Sequence, residues 1–296
     1  MDSFTVDVDG PVHAIDYGGQ GDPLLLVHGL GGSVANWIEL GPRLTSLGRV
    51  VAVDLPGFGR TPPAGRSAHI DAQQAFLARF IGSVLGGPVT LVGNSMGGLI
   101  AMLQAARRPE LVRRLVLLDP AAPAPMEWRS IDRNMFVMAF GSFAPPFGKA
   151  VLNAVDRSMT PAQRVAESFA LVTADPGGIG KETTAAHVTV AAERRTQPWA
   201  NTSFLTAYRS ILVRLLPHRY REVVDSISAP TLLVHGTADR VVPYVASARL
   251  AGRKPDWDFQ TLEGAGHVPM LERPDEVCKM VAEFFENATV VERQAT

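Results

Sequence analysis

Val89-Thr90-Leu91-Val92-Gly93-Asn94-Ser95-Met96-Gly97-Gly98-Leu99-Ile100-Ala101-Met102-Leu103 is the stretch on which the fold turns. A short β-branched and apolar run, a G-x-S-x-G turn and an apolar helical run follow one another without a charge. The whole segment from Phe80 to Ala106 is uncharged and long enough to raise a membrane span. Pro88, the glycines at 82, 86, 87, 93, 97 and 98, and a change of period near the middle favour strand, tight turn and helix instead. In that arrangement a serine on a sharp strand-to-helix turn projects its hydroxyl above a sheet. Small residues two before and two after it let the backbone turn that tightly.

Outward from this stretch, similar runs recur at Leu24–Val27, Val50–Val53 and Leu115–Leu118, each followed by Gly, Asp or His and then a helical pattern. Runs of this kind describe parallel strands buried on both faces. Phe4–Val8 and His13–Tyr17 flank Asp9-Gly10-Pro11 and predict an antiparallel edge hairpin. From residue 122 to 217 the strand signal stops in favour of Met, Phe, Ala and Arg at helical spacing, as in Arg164–Val172. Alternation then resumes with strands at Thr231–His235 and Asp258–Leu262, a helix near Tyr244–Ala251 and a last helix opening at Pro274-Asp275-Glu276. The expected architecture is α/β: a mostly parallel central sheet flanked by helices, its core formed by residues 1–121 and 218–296, with residues 122–217 an inserted helical cap. Such an excursion leaves from the strand ends where α/β proteins place their sites.

Composition narrows the partners. The 296 residues are 46% hydrophobic and 19% charged, which is globular and not disordered. Twenty-eight basic against 29 acidic side chains leave a net charge of −1, so nothing recruits nucleic acid or anionic membrane non-specifically. The single cysteine, Cys278, excludes an intrachain disulfide, and the start at Met1-Asp2-Ser3-Phe4 lacks a secretory signal. These features point to a cytoplasmic protein without an integral membrane segment; its oligomeric state stays open, a homo-oligomer included.

A serine hydroxyl is a weak nucleophile without a base, and the base needs an acid to hold its tautomer. Of seven histidines, His267 in Gly264-Ala265-Gly266-His267-Val268-Pro269 has the address of a loop that aims its ring at Ser95. His235 ends a strand and reads as a hydrogen-bonded core residue. Asp239, in Gly236-Thr237-Ala238-Asp239, follows the next-to-last strand and is the expected acid, with Asp119 after Leu118 its competitor. Asp54 heads the turn at Pro56-Gly57 and reads as structural. For the oxyanion, the expected donors are the N–H groups of Met96 and Leu30, the latter in His28-Gly29-Leu30-Gly31-Gly32. There Gly29 and Gly31 let the backbone approach a substrate while His28 braces the loop.

These motifs, in this order, resemble the α/β-hydrolase superfamily over nearly the whole chain. They include Asp54-Leu55-Pro56-Gly57-Phe58-Gly59 and the succession Ser95, Asp239, His267. The resemblance implies the α/β-hydrolase fold and a serine esterase- or lipase-like hydrolase. Ser95 argues against the epoxide hydrolases and haloalkane dehalogenases of this fold, which place an aspartate there. Gly93–Gly98 and Ala35-Asn36-Trp37 also resemble meta-cleavage carbon–carbon bond hydrolases. Against that, Gly31-Gly32 stands where that group has Gly-Pro, and Val268 where it has tryptophan. That group also needs a cap arginine, for which Arg129, Arg133, Arg194 and Arg195 are the candidates.

Other chemistries fail on spacing. A dinucleotide fingerprint would need glycine at Val34, a phosphate loop ending at Gly180-Lys181 would need glycine at Asp175 and Ser or Thr at Glu182, and no Cys/His cluster suggests a metal. The expected function is hydrolysis of a small ester with an apolar acyl or alcohol group, without a cofactor. A small-ligand receptor on the same scaffold is the non-enzyme alternative. Met126, Trp128, Met135, Phe136, Met138, Phe140, Phe143, Phe147, Phe169, Trp199 and Phe204 supply candidate apolar lining for the cap. With His267 as base, activity is expected to fall as pH drops and the imidazole takes up a proton. A flat rate profile from about pH 5 to 8 contradicts the assignment.

Overall fold

The computed structural model describes residues 1–124 and 143–294. Eight strands form one sheet in the order β1-β2-β4-β3-β5-β6-β7-β8. They are β1 (Asp2–Asp7), β2 (Pro11–Gly18), β3 (Pro23–Val27), β4 (Arg49–Val53), β5 (Val89–Asn94), β6 (Val112–Leu118), β7 (Thr231–Gly236) and β8 (Asp258–Leu262). β1, β2 and β4 pair antiparallel, and every pairing from β4 through β3 to β8 is parallel. The edge hairpin turns at Asp9-Gly10, both with positive φ.

The parallel strands are apolar on both faces because both faces are covered. Leu25, Val51, Leu91, Leu117 and Leu233 belong to one buried cluster, while their neighbours Leu24, Val50, Val92, Val116 and Leu232 belong to the other. This is the period-two alternation of a strand sorted into two cores, which hides it in a continuous apolar run.

Around the sheet run α1 (Leu40–Arg43), α2 (Ile70–Phe80), α3 (Met96–Arg107), α4 (Pro145–Ser158), α5 (Pro161–Val172), α6 (Lys181–Arg194), α7 (Ala200–Arg214), α8 (Pro217–Asp225), α9 (Tyr244–Arg253), α10 (Pro269–Glu272) and α11 (Pro274–Gln294). The first core takes Phe76 and Phe80 of α2, Ile100 and Leu103 of α3, Val224 of α8 and Leu250 of α9. The second takes Leu40 of α1 and Val277, Val281 and Phe284 of α11, which form one stripe of that helix. α4 to α7 lie between β6 and β7, where the strand signal stops. Met126, Trp128, Met135, Phe136, Met138 and Phe140, with Arg129 and Arg133, lie outside the described residues.

Two local features place the site. The uncharged stretch resolves into the end of α2, a π-helical turn at Ile81–Leu85 closed by Gly86 with φ +74, then β5, Ser95 and α3. Among the described residues no helix is long and apolar enough to cross a membrane. Then, after β3, the chain pairs β4 on one side and β5 on the other. A crevice opens at such a reversal of strand order, beyond the carboxyl ends of the strands. The loops after β3 and β5 flank it.

Leu91 in β5 is fully buried, whereas Leu171 in α5 is 51% exposed. Leu91→Ala is expected to lower the unfolding free energy by about 2–5 kcal/mol, and Leu171→Ala by no more than about 0.5. Urea midpoints for the two variants check the contrast.

Candidate active site

The turn at Ser95 is a place where backbones meet. Ser95 has φ +53, a region that costs an L residue strain. Its N–H donates to Leu118 O at 3.1 Å, and its carbonyl accepts from Leu99 N–H at 3.1 Å and Ala121 N–H at 3.0 Å. A Cβ on Gly93 would stand 2.5 Å from Gly97 O, and one on Gly97 would overlap the Val27 carbonyl oxygen. Both glycines of the motif are therefore imposed by close approach, the second to β3. Met96 opens α3, whose first-turn N–H groups lack helical partners and carry the positive end of the helix dipole.

The β3 loop lies against this turn: a Cβ on Gly29 would stand 3.2 Å from Ser95 Cβ. Gly32 N–H donates to Gly29 O at 3.1 Å, closing a turn with Leu30 and Gly31 at its centre, Gly31 at φ +72. His28 is fully buried and braces the loop with both ring nitrogens, Nδ1 donating to Gly29 O at 2.8 Å and Nε2 accepting Leu55 N–H at 3.1 Å. Burial pushes its pKa down, so it stays neutral.

Asp239 and His267 meet in a buried pair. Asp239 Oδ2 lies 2.7 Å from His267 Nδ1, and its Oδ1 accepts the N–H groups of Val241 at 2.7 Å and Val242 at 3.0 Å. Burial opposes the Asp239 charge, but the adjacent His235 ring, the hydrogen bond from His267 and the Val241 N–H outweigh it and hold the carboxyl well below the usual carboxylate range. With Nδ1–H donating to Asp239, His267 keeps the lone pair of Nε2 for a proton. His235 donates through Nε2 to Val242 O at 2.9 Å and accepts through Nδ1 from Ser247 Oγ at 2.7 Å, the satisfied core residue expected.

A hydroxyl–imidazole–carboxylate chain elsewhere runs from Ser3 Oγ to His13 Nε2 at 2.9 Å and from His13 Nδ1 to Asp54 Oδ2 at 2.7 Å. Here the acid braces loops: Asp54 also accepts Val34 N–H at 2.7 Å and Arg60 N–H at 2.8 Å. It ties the far side of the β3 loop to the turn after β4.

Residues 24–280 match the family model described as the alpha/beta hydrolase family. The chain belongs to that family. Among the relatives of this alpha/beta hydrolase is the pimeloyl-[acyl-carrier protein] methyl ester esterase of Aeromonas hydrophila, 28% identical over 90% of this chain and 96% of the relative. The 2-hydroxy-6-oxo-2,4-heptadienoate hydrolase of Pseudomonas putida is 30% identical over 90% of each chain. A crystal structure of a membrane phospholipase A superposes with a TM-score of 0.72 at 28% identity, covering 97% of this chain and 86% of that one.

Several residues that hold the hydrolase site escaped the motif reading. Asn94 donates Nδ2 to Leu118 O at 3.0 Å and to His267 O at 2.9 Å, fastening the histidine loop to the serine turn. Glu272 accepts Gly266 N–H at 3.0 Å and Ala174 N–H at 2.7 Å. His267 N–H donates to Val172 O at 2.7 Å, and Arg240 donates to Ala170 O at 2.7 Å and Thr173 O at 2.6 Å. The end of α5 is thereby strapped to both loops. On the other flank, a Cβ on Gly31 would meet the Phe204 ring of α7 at 3.2 Å. Ahead of α6, Pro176–Gly178 form a short helical turn whose Gly177 N–H is held by Asp175 Oδ1 at 3.0 Å. The one available signal was polarity: Asn94 is a buried amide inside an apolar run.

Because only glycine occupies the Ser95 backbone region without strain, Ser95→Gly is expected to be more stable than Ser95→Ala, by about 1 kcal/mol. Thermal unfolding of the two variants measures this free of any assay of activity.

Proposed function

We propose that this alpha/beta hydrolase cleaves a carboxylic ester through an acyl-enzyme on Ser95, with His267 as base and Asp239 as its orienting acid. The observation that carries the reading is the Asp239–His267 hydrogen bond on a loop that Asn94 fastens to the Ser95 turn. His267 Nε2 takes the Ser95 proton as Oγ attacks the ester carbon. The N–H groups of Leu30 and Met96 hold the oxyanion. His267 then protonates the departing alcohol, and water hydrolyses the acyl-enzyme by the same route. No step calls for a cofactor or metal.

Helices α4 to α7 act in this reading as the cap of residues 122–217, and Phe204 beside Gly31 supplies an apolar wall for a small acyl or alcohol group. The relative named as a methyl ester esterase supports ester cleavage; the proposed setting is the cytoplasm.

Carbon–carbon cleavage of the meta-cleavage type is the second reading, favoured by the Pseudomonas putida relative. Two of its candidate cap arginines have other employment. Arg194 donates to Asn201 Oδ1 at 2.7 Å, 3.8 Å from Asp156, and Arg195 donates to Met159 O at 3.3 Å. Both are held within the helical insertion, which supports the ester reading.

Hydrolysis of p-nitrophenyl esters of graded chain length is expected to peak at one acyl length. Ser95→Ala is expected to lower kcat by about 10⁴-fold or more. Folded wild-type protein that turns over no ester but cleaves a vinylogous diketone makes the second reading correct. Tight binding of a small apolar ligand without turnover of either marks a receptor.

A further inference from the structure

Asp119 is the acid for which the reaction above has no use. It follows β6, is wholly buried, and has φ +46, a strained region that a glycine would occupy freely. Its N–H donates to Val234 O at 2.9 Å, and its Oδ1 accepts Gly236 N–H at 2.9 Å. No N–H or O–H of the described residues reaches its Oδ2.

The titratable groups facing it are Asp239 and His235, with one side-chain N or O atom of each of the three within 4.8 Å of the others, and Glu272 of α10. His267 lies on the other side of this pairing as the hydrogen-bond partner of Asp239 Oδ2. His235 Nε2 lies 3.6 Å from Asp119 Oδ1 and 3.4 Å from Asp239 Oδ2. That Nε2–H is already directed at Val242 O, and Nδ1 faces Ser247 Oγ. A nitrogen that carries a proton has no lone pair for a metal ion, so this cluster is not a metal site.

Two ionised carboxylates sharing a dry pocket repel, and one keeps its proton. Donor count decides which. Asp239 is held by two backbone N–H groups and His267, whereas Asp119 has the single N–H of Gly236. We propose that Asp119 is a neutral carboxylic acid whose Oδ2–H donates to Asp239, making it a positioning residue that holds the Asp239 carboxylate against His267. Burial, and next the charge of Asp239, push the Asp119 carboxyl well above the usual carboxylate range, in keeping with this arrangement. The positioning role rests on the triad reading; the shared proton does not.

Wild type, Asp119→Asn and Asp119→Ala distinguish these parts. The infrared difference between wild type and Asp119→Asn at neutral pH is expected to contain the C=O stretch of a protonated carboxylic acid, lost in the variant, with no substrate present. Asparagine keeps a neutral donor, so the acid limb of its kcat/KM profile stays at the wild-type pH. Alanine loses the donor, and kcat falls about tenfold with KM within about twofold. Absence of the carboxylic acid band overturns the proposal, as does an Asn acid limb moved to lower pH, which would mean that a negative charge had been removed near His267. If Asp119→Ala does not fold, the asparagine comparison decides. A lost band in a protein that hydrolyses no ester sustains the shared proton and strikes the ester reading instead.

Discussion

The absence of room at the end of β5 is the constraint on which the rest of the structure depends. β3, β5 and the first turn of α3 approach until no Cβ fits at Gly93 or Gly97, and Ser95 is left in a backbone region that only glycine occupies at ease. The strain is local and is offset by a strand buried on both faces beneath it and by hydrogen bonds to Leu118, Leu99 and Ala121 around it. A looser core would let the turn relax to an ordinary conformation and take the serine hydroxyl with it.

Asp239 and His267 reach that turn from strands and loops far along the chain, and polar fastenings rather than apolar packing set their positions. Asn94 holds the His267 carbonyl, two backbone N–H groups hold one Asp239 oxygen, and His28 and Asp54 hold the loop after β3 from either end. Each of these groups is buried, so each hydrogen bond is costly to lose. Apolar contacts tolerate small slips; a buried amide tied to two carbonyls, as Asn94 is, does not.

Much of this was legible before any coordinates. Leu24–Val27 and Val50–Val53 read as buried parallel strands because a two-sided core leaves a continuous apolar run, and Gly93-x-Ser95-x-Gly97 reads as a tight turn because its glycines mark backbone contact. The observed strands extend the expected ones by a few residues, as β6 does from Leu115 back to Val112. The loop addresses of Asp239 and His267 followed from strand order. What stayed hidden are pairings between residues remote in sequence, such as Asn94 with His267 and Glu272 with Ala174. Periodicity reports which face a residue is on and not which partner it finds there. Asp119 and Asp239 illustrate the limit: spacing put both acids at strand ends and favoured Asp239, but how differently the two carboxyls are held shows only in the donors around each.

The straps at the end of α5 have a mechanical consequence. Ala170, Val172, Thr173 and Ala174 are bonded to Arg240, His267 and Glu272, the residues that flank or carry the acid–base pair. Lifting that end of the helix would pull on the backbone of His267 itself and on the loop that carries Asp239. This end of the insertion is thus a hinge-side jamb and not a door. Any movement of the insertion that leaves Asp239 and His267 paired has to come from its other end.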